Sequence, residues 1–459
     1  MKKLFTILAF ILPVIAGAQQ KLNLFSPSDY MWMNVGNAGF TTDQAFSTSL
    51  KFSPSGEPYV AFSDQANSTR ATVMKFDGND WVTVGTAGFS SGTASSTSLA
   101  FSPAGEPYVA FKDYGNSYKA TVMKFDGAGW VNVGTAGFSA DEVYFTNIAF
   151  SPAGLPYVVY EDMGNSGKTT VMKFDGASWV TVGTAGFSGG EVACTIIAFG
   201  PGGEPYVEYC DAAYSYKPVV MKFDGISWVT IGTAGFSDGD VDWPGFAFNP
   251  VSGEPCVAYI DYAHSLKATA MKFDGANWVV IGHVGFSAGK TDCTTLAFSP
   301  SGEPYVGYAD SSVSAKATVM KFDGVNWVNV GAEGFSAGKS DYACLAFSPL
   351  GNPYLAYRDV GNSGKATVMK YDAPAGIHED PHPELSFYPN PATDKITVET
   401  SGTTKESFLA ISDMEGRELI RQKMADSKTV VDISNLPGGV YFVRLTSDKT
   451  IETGKIVKQ

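Results

Sequence analysis

The sequence predicts an all-β protein: a seven-bladed β-propeller of four strands per blade, closed by its N-terminal strand and followed by a small β-sandwich domain. A unit of about 49 residues recurs seven times, with the marker "MKFDG" first at Met74 and a worn copy, "MKYDA", at Met369. A Trp follows every marker except the last, and the missing segment, "WMNVGNAGF", stands instead at the other end of the chain, from Trp32. A unit divided between the two ends suits a ring, because a terminal strand can then close it.

The first residues have the pattern of a secretory signal. Lys2 and Lys3 precede an apolar run from Leu4 to Ile15, and Ala16-Gly17-Ala18 has the form of a cleavage site. We therefore expect a signal peptide at residues 1–18 and a lead-in at 19–31. No later segment has 18 consecutive apolar residues, so we expect an exported, soluble chain with no transmembrane segment.

Each repeat contains four short strands separated by turn residues. In the copy that starts at Thr97 the strands are "TSLAFS", "YVAFKD", "ATVMKF" and "WVNVG", and Asp126-Gly127 suits the tight turn before the last one. The two middle strands are apolar on both sides, as a blade packed between two neighbours requires. These repeats predict the propeller over residues 32–372.

The repeats stop at Asp372, and a different domain follows. Pro374, Gly376, Pro381 and Pro383 indicate a linker at residues 373–384. From Leu385 the period is gone, and short alternating runs separated by turns predict a small antiparallel sandwich over residues 385–459.

The tail resembles the type A C-terminal sorting domain of the type IX secretion system of Bacteroidetes. The matching segments are Tyr388-Pro389-Asn390-Pro391, Asp413 to Gly416, Leu436 to Tyr441 followed by Val443, and the basic end from Lys455 to Lys458. The resemblance implies that the type IX machinery is a partner and that the protein is secreted or attached to the cell surface. The repeats resemble the "SPxGxPYVAYxD…KFDGxxWVxVG" propeller repeats often joined to such tails, and that resemblance implies no particular activity.

Charge and motifs narrow the function classes. The formal charge is −14, and it becomes −16 once Lys2 and Lys3 are removed, which disfavours nucleic acid as a partner. Five cysteines are too few for a disulfide scaffold, although Cys194 and Cys210 should lie opposite each other within about one residue, where a bond could form. G-x-S-x-G occurs five times, always between strands and never before a helix, so we interpret it as a turn rather than a hydrolase nucleophile.

The candidate binding residues are those that vary while the repeat frame stays fixed. Counting back from the apolar residue of "LAF", the third position is Ser47, Ser96, Phe145, Cys194, Trp243, Cys293 and Tyr342, and the fourth is Phe46, Ser95, Tyr144, Ala193, Asp242, Asp292 and Asp341. Both positions precede the innermost strand and should surround one mouth of the channel. The predicted ligand-binding residues combine aromatic rings with carboxylates, as sugar recognition does: Tyr144, Phe145, Asp240, Asp242, Trp243, Asp292, Asp341 and Tyr342.

We therefore expect a binding module for a glycan or a protein, and we favour it over an enzyme. One alternative is a polysaccharide lyase or glycosidase that uses Asp242, Asp292 or Asp341. Another alternative is a structural or adhesive surface protein, which needs an exposed rim but no pocket. We expect no cofactor, although Asp238, Asp240 and Asp242 alternate in a way that calcium could use.

Overall fold

The computed structural model describes residues 30–372, 385–400, 407–413, 417–424, 426, 428–446 and 451–459. The predicted signal peptide, nearly all of the lead-in and the linker lie outside these residues. The chain forms two compact units, with the division between Pro374 and Ala375. Among the described residues, none of the helices has the length and apolar character needed to cross a membrane.

The first unit consists of seven four-stranded antiparallel sheets, as predicted from the repeats. Blades one to three contain β2 (Ala45–Phe52), β3 (Pro58–Asp64), β4 (Arg70–Phe76), β5 (Trp81–Thr83), β6 (Ala94–Phe101), β7 (Pro107–Asp113), β8 (Lys119–Phe125), β9 (Trp130–Asn132), β10 (Val143–Phe150), β11 (Pro156–Asp162), β12 (Lys168–Phe174) and β13 (Trp179–Thr181). Blades four to six contain β14 (Val192–Phe199), β15 (Pro205–Asp211), β16 (Lys217–Phe223), β17 (Trp228–Thr230), β18 (Val241–Phe248), β19 (Pro255–Asp261), β20 (Lys267–Phe273), β21 (Trp278–Val280), β22 (Thr291–Phe298), β23 (Pro304–Asp310), β24 (Lys316–Phe322) and β25 (Trp327–Asn329).

The seventh blade takes its fourth strand from the N-terminal end of the chain. It contains β26 (Ser340–Phe347), β27 (Pro353–Asp359), β28 (Lys365–Asp372) and β1 (Met31–Asn34). Trp32 pairs with Tyr371 and Asn34 with Met369, so the predicted pairing of the N-terminal strand with the last repeat is present. The first and seventh blades are also neighbours, because the Thr48 hydroxyl donates to the Tyr342 carbonyl at 2.5 Å.

One Trp per blade joins that blade to the preceding one. The indole Nε1 of Trp81 donates to the Val35 carbonyl at 2.7 Å, and the ring stacks on Phe40 with centroids 4.3 Å apart. Trp32 makes the same pair of contacts, with the Val330 carbonyl at 2.6 Å and Phe335 at 4.2 Å. These contacts agree with the predicted core role of the Trp residues, since each ring fills the gap between two twisted sheets.

The loop between the second and third strands of each blade is fixed by an Asp. Asp64 accepts hydrogen bonds from the Ala66 amide, the Asn67 side chain and the Thr72 hydroxyl at 3.1, 2.8 and 2.9 Å. Each loop forms a short 3-10 helix, at Gln65–Asn67, Tyr114–Asn116, Met163–Asn165, Ala212–Tyr214, Tyr262–His264, Ser311–Val313 and Val360–Asn362. These hydrogen-bonded loops lie at the end of the blades where the candidate residues are found.

The second unit contains two antiparallel sheets around one core. The sheets are β29 (Leu385–Tyr388), β30 (Lys395–Thr400) and β33 (Lys428–Asp432), and β31 (Ser407–Ser412), β32 (Glu418–Met424), β34 (Gly439–Thr446) and β35 (Ile451–Lys458). Ile396 and Val398 of the first sheet share a buried cluster with Leu409 and Val443 of the second. This is the two-layer β arrangement expected of the tail.

Candidate functional site

The seven third-position residues all lie at β-bulges. In the first blade the pairing of β2 with β3 shifts between Phe46 and Ser49, and the same shift occurs in each blade. All seven residues have left-handed backbone, with φ between 44° and 56°: Ser47, Ser96, Phe145, Cys194, Trp243, Cys293 and Tyr342. We call these the bulge residues.

The bulges direct variable side chains toward the central channel. All seven bulge residues line a cavity of about 480 Å³ at the axis of the ring. Left-handed backbone is unfavourable for residues other than glycine, so it persists only where the surrounding structure holds it. A bulge also changes the direction of the side chain that it carries. Each blade therefore places one variable side chain, that of its bulge residue, at the cavity.

Hydroxyl groups bind the bulges of neighbouring blades together. The residue after a bulge donates to the carbonyl of the bulge residue in the preceding blade, as Thr97 does to Ser47 at 2.5 Å and Thr146 does to Ser96 at 2.6 Å. Thr195, Thr294 and Thr48 do the same in the fourth, sixth and first blades. Pro244 and Ala343 replace the Thr in the fifth and seventh blades.

The junction between the fourth and fifth blades lacks a second kind of bond as well. In five other blades the next side chain along accepts an amide from the following blade, as Ser49 accepts from Leu99 at 3.0 Å, whereas Gly245 of the fifth blade has no side chain to do so. The fourth blade has the apolar Ile196 at this position. Pro244 and Ile196 together therefore remove both of the inner hydrogen bonds that join neighbouring blades.

Three aromatic side chains form one side of the mouth. The Trp243 and Tyr342 rings meet edge to face with centroids 6.2 Å apart, and Tyr342 lies 6.5 Å from Phe46. Trp243 is 39% exposed, and Phe145, in the third blade, is 37% exposed. The structure thus brings together Trp243 and Tyr342 among the predicted residues and adds Phe46.

The predicted aspartates differ in their partners. Asp341 binds Arg358 at 2.7 Å and Lys339 at 3.0 Å, while Asp292 lies 3.6 Å from the same Lys339 nitrogen. Asp242 accepts from the Trp243 amide at 2.9 Å and from the Cys194 thiol at 3.8 Å. Burial raises the pKa of Asp242, and the nearby Asp292 and Asp240 add to that increase.

Asp240 lies on the loop before β18, and its side chain is exposed. Its carbonyl accepts from the Tyr262 amide at 3.3 Å. Asp238 lies near His264, with an oxygen 3.8 Å from Nε2. Within the described ranges, no three His, Cys, Asp or Glu side chains come together as metal ligands, and this includes Asp238, Asp240 and Asp242.

Tyr144 belongs to a different cluster, built around a buried lysine. The Lys112 nitrogen lies 3.4 Å from the centre of the Tyr144 ring and 2.6 Å from Glu142, and its side chain is only 3% exposed. The rings of Tyr114 and Tyr118 lie 5.5 and 5.3 Å from the same nitrogen. This cluster occupies the mouth between the second and third blades.

Glu161 faces Glu191, Lys112 and Glu142. Burial raises the pKa of Glu161 to about 7, and the charge of Glu191 contributes to the increase. Glu161 and Lys112 are not among the predicted site residues, although a second variable position of the repeat reveals them. The residue before the invariant Asp of the second strand is Ser63, Lys112, Glu161, Cys210, Ile260, Ala309 and Arg358.

The cysteines and the G-x-S-x-G serines have structural surroundings. Cys210 pairs with Ala193, one residue from Cys194, as the register predicted, and all five cysteines are free thiols. Ser90 accepts from the Ala71 amide at 2.9 Å and donates to the Gly92 carbonyl at 2.7 Å, which fixes its turn.

The tail matches a known family. Residues 386–459 match the model of the secretion system C-terminal sorting domain. The chain ends in a type IX sorting domain. This confirms the predicted resemblance and marks the protein as a secreted or cell-surface cargo of that system.

Three solved structures similar to the chain are distant in sequence. No curated protein matches the sequence. PorZ of the Porphyromonas gingivalis type IX secretion system is 13% identical, with a TM-score of 0.49 over 91% of this chain and 60% of that one. A PL25 ulvan lyase (12%, TM-score 0.49, 75% and 96% covered) and the Aleuria aurantia lectin (14%, 0.44, 64% and 97%) are similarly remote. Likeness at this level does not bear on the ligand.

Proposed function

We propose that the propeller is a glycan-binding module whose ligand enters the mouth of the central cavity. The observation that carries the proposal is the half-exposed pair of Trp243 and Tyr342, held on left-handed bulges at the cavity. Rings held in this way lose little side-chain freedom when a ligand binds, which favours affinity. A sugar ring can stack its C–H groups on an aromatic face while carboxylates accept its hydroxyl hydrogens.

The dimensions favour a small ligand segment over a folded protein. A cavity of about 480 Å³ is within the usual range for small-molecule sites. A stable protein partner would usually cover about 800 Å² of surface. The bulge residues form a concave ring rather than such an area, so we place the saccharide at the mouth.

Glu161 supports an enzyme as the second candidate. A buried carboxyl with a pKa of about 7, beside the Lys112 ammonium and the Tyr144 ring, is a suitable general acid or base. A lyase or glycosidase would use this group rather than Asp341, since Arg358 and Lys339 neutralise Asp341.

A glycan array followed by calorimetry on the mature chain tests the proposal. We expect Trp243→Ala and Tyr342→Ala each to weaken binding about 10-fold or more, as loss of a central aromatic contact usually does. Phe442→Ala is the matched control, because this aromatic is 45% exposed in the second unit. Binding that survives both mouth variants would contradict the proposed site.

Incubation with the bound polysaccharide separates the two candidates. A binding module leaves the chain length unchanged. New reducing ends or unsaturated products that disappear in Glu161→Gln would support the enzyme. The absence of saccharide binding on the array would favour an adhesive role.

A further inference from the structure

The carboxylate beside Trp243 has no cationic partner in the described part of the chain, unlike Asp292 and Asp341. Asp341 and Asp292 lie near Lys339, and Asp341 also binds Arg358. In contrast, no cation of the described chain forms an ion pair with Asp242, whose Oδ1 accepts only from the Trp243 amide and the Cys194 thiol. Asp242 therefore retains an uncompensated carboxylate next to an exposed indole.

Two main-chain carbonyls on the same wall lack their usual donors. In five blades a Thr hydroxyl from the following blade satisfies the carbonyl of the bulge residue. Pro244 and Ala343 have no hydroxyl, so the carbonyls of Cys194 and Cys293 receive no such bond. Cys194 and Cys293 are the bulge residues on either side of Trp243, and both line the cavity.

A buried carboxyl group lies near Cys194. Glu208 is fully buried, and neither of its carboxyl oxygens has a hydrogen-bond partner. The equivalent position faces the next blade, because a Cβ at Gly307 would lie 3.0 Å from Leu355. Glu208 therefore points into the junction of the fourth and fifth blades, where both inner hydrogen bonds are missing.

We propose that this wall is a subsite for the protonated amine of an amino sugar, an inference that rests on the proposed glycan-binding function. An ammonium group has three donors and no acceptor, so it matches a carboxylate and two carbonyls that lack the Thr donor of the other blades. The π face of Trp243 attracts the same positive charge. An N-acetylated sugar has only one amide donor. Its acetyl carbonyl, which is itself an acceptor, would face the acceptors of this wall.

Calorimetry of the mature full chain with two oligosaccharides tests the subsite. The probes are glucosamine and N-acetylglucosamine oligomers of equal length, at a pH where the free amine is protonated. We expect the glucosamine oligomer to bind at least tenfold more tightly. Asp242→Asn should remove this preference for the glucosamine oligomer.

Pro244→Thr tests the contribution of the Cys194 carbonyl separately. It restores the donor that the other blades use, so it should lower glucosamine affinity severalfold and raise the melting temperature. Thr97→Ala is the matched control, because it removes the same bond in the second blade. That variant should melt earlier and bind with unchanged affinity. If Pro244→Thr is destabilised instead, Ala343→Thr provides the same test at Cys293.

The outcomes distinguish this inference from the proposed function. Equal binding of the two oligomers, or tighter binding of the acetylated one, overturns the amine subsite. Mouth-dependent binding of another glycan, with neither oligomer bound, also overturns it and leaves the proposed function standing. If no glycan binds at the mouth, both fail.

Discussion

At the scale of single residues, Glu208 is the clearest departure from the repeat. The other six blades carry Ala61, Ala110, Val159, Ala258, Gly307 and Ala356 at its position. Burial raises the pKa of Glu208 well above its ordinary value, and its oxygens have no partner. A carboxyl group in this position destabilises the fold.

We expect Glu208→Val to stabilise the protein. The change removes an unsatisfied buried carboxyl, which costs about 1–3 kcal/mol, and places there the side chain that the third blade already accommodates. Thermal unfolding measures the effect. The reverse change, Val159→Glu, should lower the melting temperature, and a Glu208→Val variant that melts earlier than the wild type would contradict the expectation.

Glu161 should make stability depend on pH. Its folded-state pKa of about 7 lies above the ordinary value of 4.5, so its neutral form favours folding below about pH 4.5. That contribution is lost as the pH rises to about 7. Glu161→Gln should therefore match the wild type near pH 4 and exceed its stability at pH 8 by about 1–3 kcal/mol. Denaturant unfolding at both pH values checks the sign, and equal differences at the two values would refute it.

The sequence alone locates the variable residues but not their geometry. Comparing repeats is enough to select Trp243 and Tyr342, because they change within a constant frame. The left-handed bulge depends on the register between two strands, which the residue pattern of one strand does not contain. Lys112 and Glu161 each precede the Asp that recurs in every blade. Their position is recognised as variable only when the seven repeats are aligned at that Asp.

At the scale of elements, β1 shows how much a divided repeat predicts. The prediction placed residues from Trp32 onward beside the last strand, and the structure pairs Met31–Asn34 with the end of β28. Trp32 also donates to the Val330 carbonyl in the sixth blade. This short strand therefore covers an otherwise open sheet edge and contacts two blades.

Deleting residues 30–36 should lower stability sharply or cause aggregation. The deletion exposes the edge of β28 and removes a buried Trp, whose loss alone typically costs about 3–5 kcal/mol. Thermal unfolding and size-exclusion chromatography measure both effects. Trp32→Phe is the milder comparison, because it keeps the strand and an aromatic ring and removes the indole hydrogen bond with part of the buried ring surface. A deleted chain that melts like the full one would show that β1 contributes little.

At the scale of the whole molecule, the two compact units differ in period and in family. The repeats predict the first unit, and the tail motifs predict the second together with its sorting role. The ligand is not predictable in this way. The repeated residues determine the fold of the blades, and only the few variable residues at the mouth determine ligand specificity. We propose that residues 385–459 serve export and take no part in ligand binding.

A chain shortened after Ala373 should fold and retain its ligand affinity. The seven sheets end at Asp372, so the shortened chain keeps every blade. With its signal peptide, in a host that has the type IX system, it should remain in the periplasm. Cell fractionation with immunoblotting measures this, and an unrelated carrier fused to residues 385–459 is the control that should leave the cell. Normal export of the shortened chain would refute the assignment.

The ring of Thr hydroxyls has an evolutionary consequence. These bonds use the carbonyls of five bulge residues and leave their side chains free. Mutations at seven sites can therefore change what the mouth recognises while the bonds between blades persist. A lineage carrying this protein could therefore change its ligand by single substitutions. Pro244 and Ala343 are the two positions where the hydrogen bond between blades is absent, so the carbonyl of the bulge residue there can also contribute to ligand binding.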